Sequence, residues 1–121
     1  MSDGKPRLVK LVLGNRASPI DEWLASIRDK LTRARIARAL DKLGRGLPGP
    51  HRSVGQGVNE LKLDFGPGYR VYYAEWRQVL VVLLGGGDKS SQQRDIELAR
   101  QRWGALKESD ICVQDLDPWD P

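Results

Sequence analysis

The sequence contains a single cysteine, Cys112, and a single histidine, His51. One cysteine cannot form an intrachain disulfide and cannot build a cysteine-based zinc site. One histidine excludes the two-histidine acid–base pair of some ribonucleases, and a lone loop histidine is usually solvated, so His51 is only a secondary candidate for a direct role. We therefore expect no metal and no cofactor, and any catalysis would depend on other side chains.

Long hydrophobic runs are also missing. The longest apolar run begins at Val79 and is far shorter than the roughly 20 residues that cross a bilayer. The N-terminal segment lacks the apolar core of a signal peptide. We expect a cytoplasmic protein with no membrane contact. The stretch "GGGDKSS" lacks Walker spacing, because Leu83 rather than glycine lies six positions before Lys89, so nucleotide hydrolysis is not expected.

A chain of 121 residues is long enough for one compact domain. It carries 20 basic and 16 acidic residues, but its last fourteen residues hold five acids and no base, so the formal net charge of +4 becomes +9 over residues 1–107. This excess favours an anionic partner, with nucleic acid first and an acidic protein second. We assign the domain to residues 1–107 and expect residues 108–121 to form a flexible acidic tail, or else a strip that folds back over the basic surface.

Periodicity predicts the order β-α-α-β-β-β-α. A β-compatible run over 7–13 is followed by two helical segments, the first starting at Ser18-Pro19. Glycines and prolines predict a loop over 47–57. Alternating runs on both sides of Gly66–Gly68 predict a hairpin, a central strand follows, and a last helix starts near Ser90. The sequence therefore predicts an α+β fold, with a small, mainly antiparallel sheet, an N-terminal helical hairpin and a C-terminal helix.

Three cations are placed to converge on this sheet. If the hairpin pairs around Gly66–Gly68, Lys62 and Arg70 share one face, and Lys89 emerges at the end of the next strand. Fixed guanidinium and ammonium groups stabilise the negative charge of a pentacoordinate phosphorane. RNA supplies its own nucleophile, the 2′-hydroxyl. Lys62, Arg70 and Lys89 are therefore the candidate catalytic residues.

The hairpin has a second interpretation. Tyr72 lies on the Arg70 face and is placed to stack on a base of single-stranded RNA. Alternatively, Arg70 and Lys62 form ion pairs with Glu60 and Asp64, and Tyr72 packs under a helix. Composition and spacing leave both interpretations open.

The second helical segment presents a basic stripe. Its four members recur on one helix face, away from the apolar face, and they are Arg35, Arg38, Lys42 and Arg45. Charged residues on an outer helix face are usually solvated. The functional alternatives are contact with an RNA backbone or with an acidic partner helix.

Two long motifs carry a resemblance to a known family. "GVxELxxDFGPGYRVYY" begins at Gly57, and "GGDKSSQxxDI" begins at Gly86. Together with the helical segments they resemble the RelE/ParE superfamily of type II toxins, and more narrowly the HigB-like "addiction module killer protein" branch. The resemblance covers about residues 8–107.

This resemblance implies a RelE-like fold with two N-terminal helices and one C-terminal helix. It implies a toxin that cleaves mRNA, usually on the ribosome, and thereby inhibits translation. It also implies a cognate helix-turn-helix antitoxin that neutralises the toxin in a hetero-oligomer. The alternatives on the same fold are a non-enzymatic poison of DNA gyrase and a decayed toxin that only binds its antitoxin.

The resemblance also implies roles for the three cations. Lys62 and Arg70 fall where RelE-type enzymes place basic residues around the scissile phosphate, and Lys89 falls near a further basic residue. Arg70 and Lys89 would stabilise the phosphorane. Lys62 would orient the phosphate or, with a pKa lowered by neighbouring cations, help to remove the 2′-proton.

The chain departs from RelE at two positions of this site. Asp95 stands near the place of a tyrosine early in the last helix, and Glu60 replaces a lysine. The identity of the general acid and base is therefore open. Gln92 and Asp95 are secondary candidates.

Overall fold

The computed structural model describes residues 7–111 and 115–119. It contains three helices and six strands in these residues, with a short 3₁₀ turn (Lys89–Ser91) before the last helix: β1 Arg7–Leu11, α1 Pro19–Ser26, α2 Lys30–Gly44, β2 His51–Gly55, β3 Val58–Lys62, β4 Arg70–Trp76, β5 Leu80–Gly87, α3 Gln92–Glu108 and β6 Leu116–Pro118. The strands form one sheet in the order β2-β3-β4-β5-β1-β6. Only the β1–β5 pair is parallel. The predicted α+β class and the mainly antiparallel sheet are confirmed.

Helices cover both faces of the sheet, and the sheet separates the hydrophobic core into two clusters. Successive residues of a strand point to opposite faces. On one face Leu61, Val71 and Tyr73 pack with buried residues of α1 and α2. On the other face Tyr72 packs with α3 residues such as Trp103. The polar residues that share the Tyr72 face are therefore placed between the sheet and the start of α3.

The helix starts follow from local chemistry. Ser18 caps α1 by accepting a hydrogen bond from the backbone N–H of Asp21 at 3.5 Å, and Pro19 occupies the first turn as predicted. Asp29 caps α2, since its carboxylate accepts from the backbone N–H of Leu31 at 3.4 Å and from the Thr32 hydroxyl at 2.6 Å. The hydrogen bond from Thr32 outweighs a small desolvation and lowers the pKa of Asp29. No helix among the described residues is long and apolar enough to cross a membrane.

Strand β2 corrects the predicted loop over 47–57. It pairs antiparallel with β3 at the edge of the sheet. The two strands are joined by Gln56 and Gly57, which both have positive φ (56° and 85°), as in the tight turns that match strand twist. Only Val54 of this strand is buried. The strand is thus held mainly by backbone pairing with β3. Because its side chains are mostly exposed, its sequence does not show the alternation of apolar and polar residues that predicts a strand.

The end of the expected flexible tail adds strand β6. Leu116 pairs with Leu11 and Pro118 pairs with Val9, so that β6 covers the free edge of β1. The Trp119 backbone N–H donates to the Leu8 carbonyl at 3.1 Å, and the Trp119 ring packs against the α1–α2 core. Residues 115–119 are therefore bound to the sheet, in contrast to the expected flexibility. Residues 112–114 and 120–121 of the predicted tail lie outside the described residues.

Candidate functional site

A cleft of about 450 Å³ opens where β2, β3 and β4 meet the start of α3. The strand register places Lys62 opposite Arg70, and it places Glu60 between Tyr72 and Arg52. All five side chains lie on the sheet face that α3 covers. The cleft is lined by Pro50, His51, Arg52, Glu60, Lys62, Arg70 and Gln92.

A buried carboxylate organises the floor of the cleft. Glu60 is only 3 % exposed. Its Oε1 accepts from Arg52 Nε at 2.9 Å, while its Oε2 accepts from the Tyr72 hydroxyl at 3.1 Å and from Gln92 Nε2 at 2.9 Å. Arg70 Nε lies 3.6 Å from the same Oε2. Glu60 thus connects three strands and the first residue of α3.

Glu60 is held as an anion. Burial raises the pKa of its carboxyl, but the hydrogen bonds from Gln92, Arg52 and Tyr72 together outweigh burial and bring the pKa below its ordinary value. A carboxylate with a low pKa and several donors is a poor proton acceptor at neutral pH. The chemistry of Glu60 is therefore to fix the cations around it.

Arg70 is fixed on two sides. Its side chain is 9 % exposed, and Nη1 donates to the Gly68 carbonyl at 2.6 Å while Nε faces Glu60. Nε makes no hydrogen bond within the described part of the chain. The predicted ion pair between Arg70 and Glu60 is thus present, yet Arg70 still lines the open cleft. These two contacts fix the orientation of the guanidinium in the cleft wall.

The Gly66–Gly68 loop also brings Lys89 close. Gly68 has a φ of 78°, and a Cβ at this position would lie 3.0 Å from Arg70 Nη1 and 3.1 Å from Lys89 Cβ. The Lys89 backbone N–H donates to the Pro67 carbonyl at 3.3 Å. Lys89 is exposed, but it lies on the neighbouring side of this loop and does not line the cleft. The structure thus brings Lys62 and Arg70 together and leaves Lys89 beside them.

Lys62 is an exposed cation of the cleft. It lies directly across from Arg70 in the β3–β4 ladder. The alternative ion pair between Lys62 and Asp64 does not form, and no salt bridge involves Lys62 within residues 7–111 and 115–119. Its ammonium group is therefore available to an anion.

Tyr72 does not fulfil the expectation that it stacks on a base. Its side chain is 1 % exposed beneath α3, so its ring is closed to a nucleotide. Burial and the adjacent Glu60 carboxylate raise the pKa of the Tyr72 phenol well above 10. The hydroxyl therefore stays protonated and donates to Glu60. The ring packs beneath α3, as the packing interpretation of the hairpin predicted.

Two of the other three secondary candidates line the cleft, and the third does not. Gln92 and His51 line the cleft. His51 is exposed, and Nδ1 donates to the Gly49 carbonyl at 2.9 Å, which leaves Nε2 as the unprotonated nitrogen of the neutral ring. Asp95 does not line the cleft. It accepts from the Ser91 hydroxyl at 2.5 Å and packs over Gly87, and it therefore belongs to the start of α3.

Arg52 is a residue that the sequence interpretation missed. Its side chain is 62 % exposed at the mouth of the cleft while Nε pairs with Glu60. The sequence signal that could have indicated this position is the "VGQGV" turn, because a hairpin around it places β2 residues across from Glu60. A register shift between Ser53 and Gly55, however, decides that Arg52 rather than Ser53 lies opposite Glu60. Such a bulge cannot be counted from the sequence.

The predicted basic stripe is divided by the structure. Arg35, Arg38 and Lys42 line a groove between α2 and β3. Arg45 instead pairs with Asp41 at 2.9 Å and lines a different depression, beside β1 and Trp119. The stripe is therefore a set of three groove residues and one separate residue.

The fold and the cleft define a small α+β protein with a cleft lined by several cationic side chains. Among the described residues, no group of three His, Cys, Asp or Glu side chains is arranged to hold a metal ion. The family model of the phage-derived Gp49-like proteins (DUF891) matches residues 22–104. The chain belongs to this family, and the match includes every residue that lines the cleft.

The comparison with curated proteins found a relative, whereas the comparison with solved structures did not. An uncharacterized protein of Haemophilus influenzae is 42 % identical over 80 residues, which cover 66 % of this chain and 81 % of the relative. The comparison with solved structures gave no significant match. Membership of the Gp49-like family agrees with the toxin-like, addiction-module character of the sequence motifs.

Proposed function

We propose that this protein is the toxin of a type II toxin–antitoxin pair, with a RelE-like fold of the HigB-like branch, and that it cleaves mRNA. The observation that supports this most is the cross-strand pair of Lys62 and Arg70 in an open cleft. Arg70 is held by the buried Glu60, whereas Lys62 is exposed and outside any salt bridge of the described residues. A fixed guanidinium beside a mobile ammonium suits a phosphate whose charge increases during reaction.

The reaction is a metal-independent transesterification. The 2′-oxygen of a ribose attacks the adjacent phosphorus, and the bond from phosphorus to the 5′-oxygen of the next nucleotide breaks. A base takes the proton of the 2′-hydroxyl, and the leaving 5′-oxygen takes up a proton, so that the products are a 2′,3′-cyclic phosphate and a 5′-hydroxyl. Arg70 and Lys62 stabilise the phosphorane, and Lys89 adds positive charge from the other side of the Gly66–Gly68 loop.

Two side chains are placed for proton transfer. Lys62 and His51 are exposed, and both line the cleft. His51 Nε2 is free to accept a proton in the neutral tautomer that the Gly49 carbonyl selects. Glu60 is unsuited to this role because its pKa is lowered and its oxygens already accept hydrogen bonds. We assign His51 as the first candidate for the base and Lys62 as the alternative.

The partners follow from the same proposal. The toxin acts in the cytoplasm on mRNA bound to the ribosome, and a helix-turn-helix antitoxin binds it in a hetero-oligomer. The resemblance of the sequence motifs to HigB-like toxins is the basis of this part of the proposal.

The test is an in vitro translation reaction to which purified protein is added, with the mRNA ends mapped afterwards. We expect new ends with the wild type and none above background with Arg70→Ala. Arg77→Gln is the matched control, because Arg77 lies just after the last residue of β4, Trp76, and β4 extends about 20 Å from Arg70 to that residue. A DNA supercoiling assay is run in parallel. Inhibition of supercoiling without new mRNA ends would replace the nuclease proposal by gyrase poisoning, and inactivity in both assays would indicate a decayed toxin.

A further inference from the structure

A second concave surface lies on the other side of the sheet. The groove between α2 and β3 has a volume of about 290 Å³. One wall is α2, with Arg35, Arg38 and Lys42. The other wall is the end of β3 and the residues that follow it, including Phe65. The Arg35 guanidinium lies 4.1 Å from the centre of the Phe65 ring, so this end of the groove combines a cation with an aromatic face.

The positive charge of the groove is poorly compensated. Within residues 7–111 and 115–119, none of Arg35, Arg38 and Lys42 takes part in a salt bridge, whereas Arg45 of the same helix does. Of the acidic residues that the structure describes, Asp64 alone lines the groove. From Arg35 to Lys42 the helix rises by seven steps of about 1.5 Å, or about 10 Å in all, which is the length of about three stacked nucleotides. An extended polyanion fits this spacing.

The groove and the cleft meet at the edge of the sheet. Pro50 and Lys62 line both of them. Strand β2 begins only at His51, so the sheet edge beside Lys62 is formed by Pro50, whose carbonyl accepts from the Lys62 backbone N–H at 2.9 Å. A ligand can therefore pass from one sheet face to the other across Lys62.

From this continuity we infer that the groove binds the part of an RNA strand that flanks the scissile phosphate. The inference rests on the proposed function. The strand bends around the sheet edge at Lys62, with one phosphate between Lys62 and Arg70 and the neighbouring nucleotides along Arg35, Arg38 and Lys42. Such a bend suits a flexible single strand, because a duplex has a persistence length of about 50 nm and cannot turn around one strand edge. The ligand class of the groove is thus single-stranded RNA.

The test measures binding of a fluorescent, 2′-O-methylated 12-mer of mixed sequence, which lacks the attacking hydroxyl, at 50 and 200 mM KCl. The variant replaces Arg35, Arg38 and Lys42 by glutamine, and Arg45→Gln is the control on the same helix. Each phosphate contact to a single strand contributes about 0.7 to the slope of log affinity against log salt. Three contacts contribute about 2, so the wild type should lose about 20-fold more affinity than the triple variant over this range. Arg45→Gln should behave as wild type.

Several results would overturn the inference. These are equal salt dependence in the triple variant and the wild type, no binding of the 12-mer by the wild type, or equal competition by a 12-base-pair duplex. A triple variant that binds the 12-mer normally but loses the antitoxin protein encoded beside its gene would make the groove a protein-docking surface. The proposed function fails separately, if the wild type binds the 12-mer with the expected slope and yet cleaves no mRNA.

Discussion

Replacing Glu60 by glutamine removes the buried negative charge of the cleft while keeping the shape of the side chain. The change leaves Arg70, with a side chain 9 % exposed, without its counter-ion. In the wild type, both carboxylate oxygens of Glu60 accept hydrogen bonds from Arg52, Tyr72 and Gln92. In the variant, the amide NH₂ replaces one of these oxygens, so at least one of the three donors faces another donor. Breaking a buried ion pair from one side costs about 3–5 kcal/mol. The exposed Arg52 contributes less than about 1 kcal/mol to this sum.

We expect a loss near the lower limit, about 3 kcal/mol, because glutamine keeps one acceptor oxygen. For a domain of this size 1 kcal/mol corresponds to about 4 °C, so the Tm should fall by about 12 °C at pH 7. Thermal unfolding followed by circular dichroism measures this change. Glu75→Gln, an exposed position on the same strand β4, is the control and should leave the Tm almost unchanged.

The pH dependence of the Glu60→Gln effect has a definite sign. The pKa of Glu60 is lower in the folded state than in the unfolded chain. Its ionisation therefore stabilises the fold fully above the unfolded pKa of about 4.3, and this stabilisation is lost as the pH falls through the folded pKa. The difference in Tm between wild type and variant should thus be largest at neutral pH and shrink below about pH 4. A Glu60→Gln protein that melts like the Glu75→Gln control at pH 7 would refute the role of Glu60 as organising anion.

Two further predictions concern the packed core. Burial raises the pKa of Tyr73 to about 12 and that of Tyr72 well above 10, so both phenols should remain protonated at pH 11 when ultraviolet difference spectroscopy follows their ionisation; ionisation of all tyrosines near pH 10 would contradict this burial. Gly86→Ala should destabilise the protein by about 1–3 kcal/mol, since the new Cβ would lie 2.3 Å from the Trp23 ring. Gly104→Ala lies in α3, where the new Cβ would have no atom within 4 Å apart from its chain neighbours and the adjacent backbone of its own helix, so this substitution should instead stabilise the protein by about 0.5–1 kcal/mol. Chemical denaturation measures both, and equal effects of the two substitutions would contradict the packing.

The alternation of the hairpin was sufficient to place Lys62 and Arg70 together. Two strands hinged at Gly66–Gly68 have a side-chain period of two, so residues near the hinge that share a face can be found by counting. The same alternation could not show which face of the hairpin is exposed to solvent. Helices cover both sides of this sheet, and Tyr72 is consequently buried although its neighbour Lys62 is exposed.

Strands β2 and β6 could not be predicted from the hydrophobic pattern of the sequence. Both lie at the two edges of the sheet, and both are held by backbone pairing with a neighbour rather than by an apolar stripe. Glycine, proline and charged residues are tolerated at such edges, so the sequence of an edge strand resembles that of a loop. The missing β2 also hid Arg52, because its place in the cleft depends on a bulge in the β2–β3 register.

The chemistry of the cut ends tests the central claim most directly. An mRNA with a single 2′-deoxynucleotide at the mapped cleavage position is compared with the all-ribose mRNA in the same translation reaction. We predict cleavage of the all-ribose mRNA to a 5′-hydroxyl fragment, which polynucleotide kinase can label, and no cleavage at the deoxy position. Fragments that carry a 5′-phosphate, or equal cleavage at the deoxy position, would contradict catalysis by cations around an RNA-supplied nucleophile.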